Sequence, residues 1–476
     1  MFVNLDTLNL DNIKFFIVGT GPAAYSLAKK LEEKKISSLM IEAGDMEYSN
    51  ESQNFFKGKV IGNNSIISLT NSRLRQFGGT SGRWSGLCRT LDDYDFKDWP
   101  IKKDDIKTYE KEAYKILNFK EPFLDDELIN PYIKLVNFKR SENTLRINSE
   151  TIINEMKNSK YINIVLNTCV FNIFEKDNVI TEIEVFNSKK KNYSKIKVKN
   201  LILGCGAIEN TRILLNNKYK KNLNFLTETV GKYFLLHPHS PCGVGLAKFA
   251  DIKKNFSINY ETNNKYFFSP TNKFMEDKNV NNCAVRVTEY QNISKNKEII
   301  RDLLCISPKI GENILNFLKQ KEKCSGIRFF SAWEQNALYE NEIMLSKNSF
   351  DDIGVPRIKV KSNFGIGTKK NLSIFLEYLS KYFVENNLGS IAINNELLED
   401  NLKFPDGLYG GNHHMGGTRM GLPNNSVVDS NLKVHNSKNL FVIGSSVFAS
   451  SGHANPTFTI CQLSLRLGDH LTKNYL

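Results

Sequence analysis

Side chains able to move a proton are concentrated near the C-terminus of the sequence. Two adjacent histidines, His413 and His414, precede the run Met415-Gly416-Gly417-Thr418, and His453 lies two residues before Asn455. A neutral imidazole accepts a proton near neutral pH, because the unperturbed pKa of histidine is about 6.5. A carboxamide donates hydrogen bonds without titrating, so it can hold a negatively polarised oxygen over a wide pH range. These residue types suit removal of a hydroxyl proton.

A glycine-rich turn near the N-terminus suits a different task, the binding of a dinucleotide. Phe15-Phe16-Ile17-Val18 predicts a short buried strand, after which Gly19 allows a sharp turn and Gly21 lets backbone N–H groups approach a diphosphate. Ala24 is small enough for the following helix to lie against the sheet. A second apolar run ends in Glu42, near the spacing at which an acidic residue binds a ribose hydroxyl. Strand, turn, helix and acidic residue together predict a dinucleotide site.

Length and composition describe a globular protein of two domains. The chain has 476 residues, of which 41% are hydrophobic, and no apolar run is long enough to cross a bilayer. The N-terminal residues lack the basic and apolar regions of a secretory signal. Eight cysteines are scattered without a CxxC pair, which disfavours zinc and iron–sulfur sites and is typical of reduced thiols in the cytoplasm. We therefore predict a cytoplasmic protein without a metal site.

The net charge of +13 raises the question of an anionic partner. Lysine greatly outnumbers arginine and occurs in short solvated runs such as Ser188-Lys189-Lys190-Lys191. This distribution indicates a compositional bias, and no nucleic-acid-binding motif occurs, so we predict no nucleic-acid partner. Peripheral contact with a membrane or with an acidic partner stays open.

The order of the segments predicts two domains that interrupt one another. We assign residues 1–95, 150–235 and 405–476 to a cofactor-binding domain, and residues 96–149 and 236–404 to a substrate-binding cap. Within the cap, the pattern from Trp99 to about Asn148 predicts helices. In the cofactor-binding domain, further buried strands are expected at 162–166, 179–185, 201–203 and 439–443, with a helix through 211–215.

Several segments in the same order resemble the glucose–methanol–choline (GMC) oxidoreductase superfamily. They are Gly19–Ala24 with Glu42-Ala43-Gly44, Gly78-Gly79-Thr80-Ser81, Gly206-Ala207-Ile208-Glu209-Asn210, His414-x-x-Gly417-Thr418-x-Met420-Gly421, Val427-Val428-Asp429 and Asn455-Pro456-Thr457. The segments Gly78–Trp84 and Gly452–Thr459 look most like the branch of pyranose oxidases and gluconate-type dehydrogenases. The resemblance implies an FAD-binding, Rossmann-like, doubly wound α/β domain. It also implies a substrate domain built on a mainly antiparallel sheet with helices, so the chain is α+β overall.

The resemblance further implies which residues contact the flavin and which perform the chemistry. His414 matches the base and Asn455 its partner. From its spacing, His453 is a further catalytic candidate that would face the same cavity on an extended segment; the alternative is that it only satisfies a buried carbonyl. The residues expected to bind the cofactor are Gly19, Gly21, Pro22, Ala23, Ala24, Glu42, Ala43, Gly78, Gly79, Thr80, Ser81, Arg83, Trp84, Val170, Gly206, Ser445, Asn455, Pro456 and Thr457.

Two departures from the family pattern affect the cofactor. Pyranose oxidases carry at the position of Arg83 a histidine that attaches covalently to the flavin. Arginine cannot form that bond, so we predict that FAD is held non-covalently. Ser445, in Gly444-Ser445-Ser446, stands where many relatives place an aspartate near the pyrophosphate, which leaves the phosphate contacts there open.

Other residues allow alternative interpretations. His413 adjoins His414 and is a second candidate for the base, whereas His237 and His239 are expected to shape the domain junction. Glu334 is a weaker candidate to face the substrate from the cap, together with its neighbour Gln335.

The predicted reaction is oxidation of an alcohol or sugar, free or carrier-linked, to a carbonyl, with hydride transfer to flavin N5. The electron acceptor (oxygen, a quinone or a redox protein) cannot be inferred from the sequence. The alternatives are a redox-neutral flavin-dependent isomerase or lyase on the same scaffold, a non-catalytic binding protein, and a nicotinamide dehydrogenase, which fits the N-terminal fingerprint alone.

Overall fold

The structure is a computed structural model that describes residues 1–62, 67–247, 252, 264–289 and 325–475. Parts of the predicted cap at 236–404 therefore lie outside the described residues. The helices are α1 (Pro22–Glu33), α2 (Asn50–Gln53), α3 (Asp104–Lys107), α4 (Glu110–Ile116), α5 (Glu150–Asn158), α6 (Ala207–Tyr219), α7 (Asn272–Lys278), α8 (Ile366–Glu385), α9 (Asn395–Leu398) and α10 (Thr457–Asn474).

Nineteen strands accompany these helices in the described part of the chain. They are β1 (Phe15–Val18), β2 (Ser38–Ile41), β3 (Gly58–Ile61), β4 (Leu87–Cys88), β5 (Glu127–Asn130), β6 (Ile133–Arg140), β7 (Ile162–Val165), β8 (Thr168–Lys176), β9 (Val179–Asn187), β10 (Asn192–Lys197), β11 (Asn200–Leu203), β12 (His239–Ala247), β13 (Asn264–Pro270), β14 (Cys283–Glu289), β15 (Ser325–Trp333), β16 (Glu342–Phe350), β17 (Pro356–Lys361), β18 (Gly389–Ile393) and β19 (Leu440–Val442).

A parallel sheet forms the centre of the first domain. Its strand order is β19-β11-β1-β2-β7, and every neighbouring pair is parallel. The central strands β1 and β11 are entirely buried, and all their residues except Asn200 are apolar, as is typical of strands covered on both faces. Helices α1 and α10 pack together, and Gly468 brings their backbones close because a Cβ there would lie 2.5 Å from Lys30 Cγ. The predicted doubly wound α/β fold is confirmed.

An antiparallel sheet forms the second layer of the molecule. Its path is β18-β12-β15-β14-β13-β6-β4, with β5 paired to β6. Helix α8 buries aromatic and aliphatic side chains, Phe375 and Leu379 among them, against Phe268 and Phe329 of this sheet. Two further three-stranded sheets are β10-β9-β8 and β16-β17-β3. In the described residues, no helix is both long and apolar enough to span a membrane.

The helical prediction for residues 99–148 is correct only at its start. After α3 and α4 the chain forms β5 and β6, which join the antiparallel sheet. Strand β6 is buried on both faces, since Ile133 and Leu135 pack in one apolar cluster and Val136 and Phe138 in another. Pro122 and Pro131 interrupt any helix here. The predicted domain boundaries stay a prediction. Two pairings cross them, since β4 joins the antiparallel sheet and β3 pairs with β17.

Candidate active site

One cavity of about 500 Å³ opens where the parallel strands end, a volume typical of ligand sites. Its walls come from the turn after β1, the end of β2, the start of α6 and the loops around residues 71–85, 411–414 and 455–457. The carboxyl ends of parallel strands are the usual location of ligand sites in such folds. The cavity therefore has two ends, one lined by glycine turns and the other by polar side chains of the C-terminal segment.

The glycine turns at one end leave space for a diphosphate. Gly19 has φ +101°, and a Cβ there would lie 2.7 Å from the carbonyl oxygen of Gly204, so this turn requires glycine. Gly21 precedes α1 and Gly206 precedes α6, and a Cβ on either residue would meet no atom within 4 Å. Two helix N-termini thus meet an open space, where their backbone N–H groups favour an anion.

Glu42 occupies the end of β2 as predicted, and its carboxylate is held by the chain. Oε2 accepts a hydrogen bond from the Thr20 hydroxyl at 2.6 Å, and Oε1 accepts one from the Gly44 N–H at 2.8 Å. Burial raises the pKa of Glu42, although these hydrogen bonds oppose the shift. The carboxylate is therefore fixed at the cavity wall, in the position expected to meet a ribose.

Most residues expected to bind the cofactor line this cavity, and two do not. Gly79, Thr80, Ser81, Arg83, Trp84 and Val170 are in the wall, as are Ser445 and Asn455–Thr457. Ala24 is fully buried in α1 against the sheet. Gly78 lies behind the wall, where its N–H donates to the Thr20 hydroxyl at 2.9 Å. Both residues shape the site without lining it.

A cluster of buried charges in the wall was missed by the sequence reasoning. Arg73 Nη1 lies 2.8 Å from Glu209 Oε1, and Arg212 Nη2 lies 2.5 Å from Asp351 Oδ2. Burial alone would raise the pKa of Glu209, but the positive charges of Arg212 and Arg73 hold this pKa below its ordinary value. Two signals were present in the sequence: the repeated arginine of Arg73-Leu74-Arg75, shortly before the Gly78-Gly79 turn, and Glu209 within the segment Gly206–Asn210.

His414 lies at the other end of the cavity, with its ring fixed on two sides. Its Nε2 is 3.3 Å from the Ser72 hydroxyl, and its ring stacks on Phe234 with centroids 6.1 Å apart. The backbone carbonyl of His414 accepts a hydrogen bond from the Ser445 hydroxyl at 2.6 Å. Burial, with help from Arg73, lowers the pKa of His414 to about 3, so the imidazole is neutral at ordinary pH.

Asn455 lines the same cavity, at the turn that leads into α10. Its Nδ2 donates to the carbonyl of Leu87, in the antiparallel sheet, at 2.7 Å. This bond fixes the amide plane and uses one of the two amide hydrogens, which leaves the second as a donor. The fold therefore brings the histidine and the carboxamide, which are far apart in sequence, to one cavity.

The expectation that His453 faces the cavity fails on geometry. The chain bends at His453 and Ala454, so residues 453 and 455 do not share a face as they would on an extended strand. The His453 ring is fully buried and packs near Phe138, with Nδ1 3.9 Å from Asp92 Oδ2. It is not part of the cavity wall. Burial lowers the pKa of His453 to about 3, although Asp92 opposes the shift.

The candidate carboxylate Glu334 is also enclosed away from the cavity. It is 3% exposed and accepts a hydrogen bond from the Asn282 N–H at 3.3 Å. Burial and the neighbouring Asp95 raise the pKa of Glu334 to about 8. Gln335, next to it, accepts a hydrogen bond from the backbone of Leu236. Neither residue lines the cavity, so the structure gives them no contact with a substrate there.

Three other histidines meet beside the cavity. His237 Nδ1 lies 3.1 Å from His413 Nδ1, and His239 packs against both rings, with centroids 4.6 Å from His237 and 5.9 Å from His413. One potential ligand atom of each residue lies within 4.8 Å of the others. His413, the second candidate for the base, therefore has two imidazole neighbours in addition to its place in the cavity wall.

The residues fit the FAD that the sequence predicts. The space over Gly21 and Gly206, which any side chain would fill, suits the pyrophosphate, and Glu42 suits the adenosine ribose. The same cavity also includes His414 and Asn455 in its wall, so the cofactor and a substrate can share it.

Comparison with protein families confirms the resemblance in the C-terminal part of the chain. Residues 392–464, which include His414 and Asn455, match the family model described as GMC oxidoreductase. Among curated proteins, the large subunit of fructose dehydrogenase from Gluconobacter japonicus is 25% identical over 307 residues, which cover 61% of this chain and 50% of that protein. The chain thus spans about half the length of this relative.

Solved structures share the whole fold at low sequence identity. Pyridoxine 4-oxidase from Mesorbium loti superposes with a TM-score of 0.58 at 12% identity, covering 98% of this chain and 100% of that one. A variant of formate oxidase from Aspergillus oryzae RIB40, studied for FAD modification, gives a TM-score of 0.57 at 13% identity, with coverage of 97% and 98%. These neighbours extend the likeness from the C-terminal segment to the full architecture.

Proposed function

We propose that this chain, which carries the C-terminal segment of the GMC oxidoreductases, is an FAD-dependent oxidoreductase that converts a CH–OH group of an alcohol or sugar to a carbonyl. One observation carries the proposal. Glycine turns suited to a dinucleotide, and a His–Asn pair suited to proton removal, line the same cavity. Neither a binding module nor a nicotinamide dehydrogenase requires that combination.

FAD, when bound, supplies the acceptor for the hydride that leaves the substrate carbon. The turn before α1, the start of α6 and Glu42 would hold its ADP half, and Gly79–Ser81 its centre. Arg83 stands at the cavity wall and offers a guanidinium in place of a covalent attachment, so we propose non-covalent binding.

His414 is the proposed base. Its neutral imidazole has a lone pair for the hydroxyl proton, and burial disfavours the charged form until a substrate is present. The Ser72 hydroxyl lies within reach of Nε2, so it can fix the ring orientation before reaction and accept or donate as the ring changes its protonation state. Phe234 restricts the ring from its stacked side.

Asn455 is the proposed partner that positions the substrate oxygen. Its amide plane is held by the carbonyl of Leu87, so the remaining N–H is preorganised to donate to an oxygen that becomes negative as its proton leaves. Because a carboxamide does not titrate, this donor is available throughout the pH range in which His414 is neutral.

The substrate class follows from the family, and the finer identity stays open. The curated relative is named as a fructose dehydrogenase subunit, and a structural neighbour as a pyridoxine 4-oxidase, so both sugars and other alcohols are candidates. We propose oxygen, a quinone or a redox protein as the acceptor that reoxidises the flavin. Location in the cytoplasm stays a prediction, as does peripheral contact with a membrane.

Anaerobic mixing of the FAD-loaded protein with a panel of sugars and alcohols tests this function. Loss of the flavin absorbance near about 450 nm, persisting until an acceptor is added, together with a carbonyl product, is the expected result. Recovery of the absorbance without an acceptor would instead indicate a redox-neutral isomerase or lyase. Protein that stays colourless after incubation with FAD would contradict the proposal.

A further inference from the structure

We propose that His237, His239 and His413 form a binding site for one divalent transition-metal ion of the zinc class. Imidazole nitrogens are ligands that zinc, cobalt, nickel and copper accept in proteins, and three histidines are a common ligand set for an open site. The three ligands lie outside the dinucleotide turns, and of the three only His413 also lines the cavity, so metal binding can be tested without the proposed function. The cysteine count, on which the expected absence of metal rested, does not bear on it.

The nitrogens converge on a common space. A Cβ placed on Gly411 would lie 2.8 Å from Nε2 of His239 and 2.8 Å from Nδ1 of His413, so both atoms point to the volume above this glycine. Nδ1 of His237 is 3.1 Å from the same nitrogen of His413. Gly411 itself has φ +64°, a conformation that disfavours side chains, and this keeps the space open.

The spacing is close to that of a metal site. Zn–N bonds of about 2.0–2.1 Å place tetrahedral ligand atoms roughly 3.3 Å apart. The atoms here lie within 4.8 Å of one another, so small ring rotations bring all three to bonding distance. Because three imidazoles leave a fourth position, a water or an oxygen of a molecule in the cavity would complete the coordination, and His413 is itself in the cavity wall.

One of the rings has a nitrogen without a partner in the described structure. Nε2 of His239 is buried and makes no hydrogen bond. A buried polar atom without a partner is costly, and an unplaced ion is one of the explanations for it. For His239 the unpaired nitrogen is the one aimed over Gly411, which ties the missing partner to the proposed site.

The site has an entry path and a rigid second layer. His239 and His413 are half-buried, and Tyr409, on which His239 stacks with centroids 5.0 Å apart, is 42% exposed. The backbone N–H of His239 donates to the Tyr409 carbonyl at 2.8 Å, and the Tyr409 N–H donates back at 2.9 Å. These bonds tie the start of β12 to the chain that leads into His413.

Metal titration of the purified, chelator-treated protein tests the proposal. We expect one equivalent of Co²⁺ to bind and to produce visible absorption, which one equivalent of Zn²⁺ then removes. His239→Ala should weaken Co²⁺ binding by about 100-fold or more, whereas His470→Ala, which removes a half-exposed histidine of α10, should leave it within about twofold. Binding is read from the metal and not from turnover, so a failed enzyme assay does not affect the result.

Copper provides a second readout that does not depend on a variant. Electron paramagnetic resonance of the Cu²⁺-loaded wild-type protein should show hyperfine splitting from three imidazole nitrogens. If the wild-type protein binds neither Co²⁺ nor Cu²⁺ stoichiometrically, the proposal is overturned. The three histidines would then be held together by hydrogen bonds or by a bridging water. Binding that survives unchanged in His239→Ala, with fewer than three nitrogens in the copper spectrum, would overturn it equally.

Discussion

The two ends of the cavity are built in different ways. The nucleotide end is formed by strand–turn–helix units, in which Gly19 and Gly21 lie between β1 and α1 and Gly206 lies between β11 and α6. The polar end takes Ser72, His414 and Asn455 from three distant loops. Local backbone geometry determines the nucleotide end, whereas the polar end depends on the packing of distant parts of the chain. Substitutions should therefore act on cofactor binding at one end and on chemistry at the other.

The largest expected effect is loss of the cofactor on Gly21→Leu. The φ of this residue is −67°, and a Cβ there meets no protein atom within 4 Å, so the protein should fold while the new side chain extends into the diphosphate space. We expect FAD affinity to fall about 100-fold or more, roughly 3 kcal/mol, in a titration followed by flavin fluorescence. Gly365→Ala, at the start of α8, is the matched control and should bind FAD normally. Normal FAD binding by Gly21→Leu would contradict the assignment of this turn to the diphosphate.

At the other end, His414→Ala should retain FAD and lose chemistry. Without the base, we expect the rate of flavin reduction under anaerobic conditions to fall by roughly 10²–10⁴. His470→Ala controls for the loss of a histidine far from the cavity, and His413→Ala separates the two adjacent candidates. A reduction rate that is unchanged in His414→Ala but lowered in His413→Ala would transfer the role of the base to His413.

Buried charges of the cavity wall should affect stability. Asp351→Asn removes the negative charge 2.5 Å from the guanidinium of Arg212, and both residues are buried. Loss of one partner of a buried ion pair should lower the free energy of unfolding by roughly 3 kcal/mol, as measured by urea denaturation. Asp352→Asn, at the neighbouring position, which is exposed, should change it by less than about 0.5 kcal/mol. Equal effects of the two substitutions would contradict the buried pairing.

The smallest predicted effect is a change in the pH dependence of stability when one buried histidine is removed. The pKa of His453, which lies outside the cavity, is about 3 in the folded protein against an ordinary 6.5, so below pH 6.5 its imidazole binds more protons in the unfolded chain. The stability that His453 contributes should therefore fall by about 1 kcal/mol as the pH decreases from 7 to 5.5. The other buried histidines act in the same direction, whereas the raised pKa values of Asp95 (about 7) and Glu334 (about 8) act in the opposite direction, so the prediction concerns the difference between the variant and the wild type. Thermal unfolding of His453→Phe should show a shallower decline, and an equal or steeper one would refute the assignment.

The sequence predicts the features that depend on neighbouring residues better than those that depend on distant contacts. Apolar runs bounded by glycine predict β1, β2, β11 and β19. The Gly19–Gly21 turn follows β1 as predicted. These strands and this turn depend mainly on residues that are neighbours in the sequence, so the sequence pattern suffices to predict them. The strands at 127–140 were missed because the helical pattern of the preceding segment was extended across Pro122 and Pro131.

Residues that depend on distant contacts could not be predicted from local pattern. The ring of His453 lies beside Asp92 because the chain bends at residues 453–454, which the alternation of an extended strand does not anticipate. The pairing of Arg212 with Asp351 joins residues on α6 and in the turn after β16. His237 and His239 were expected to shape the domain junction, and nothing near them in the sequence points to His413.

A crystal structure of the FAD complex tests the central claim most directly. The account predicts a flavin whose ADP half lies over Gly21 and Gly206, with the His414 imidazole and the Asn455 carboxamide both facing the reactive edge of its ring, close enough to share one substrate oxygen at hydrogen-bond distances of about 3 Å. A flavin ring with either side chain turned away from that edge, or with the two too far apart to reach one oxygen atom, would contradict it.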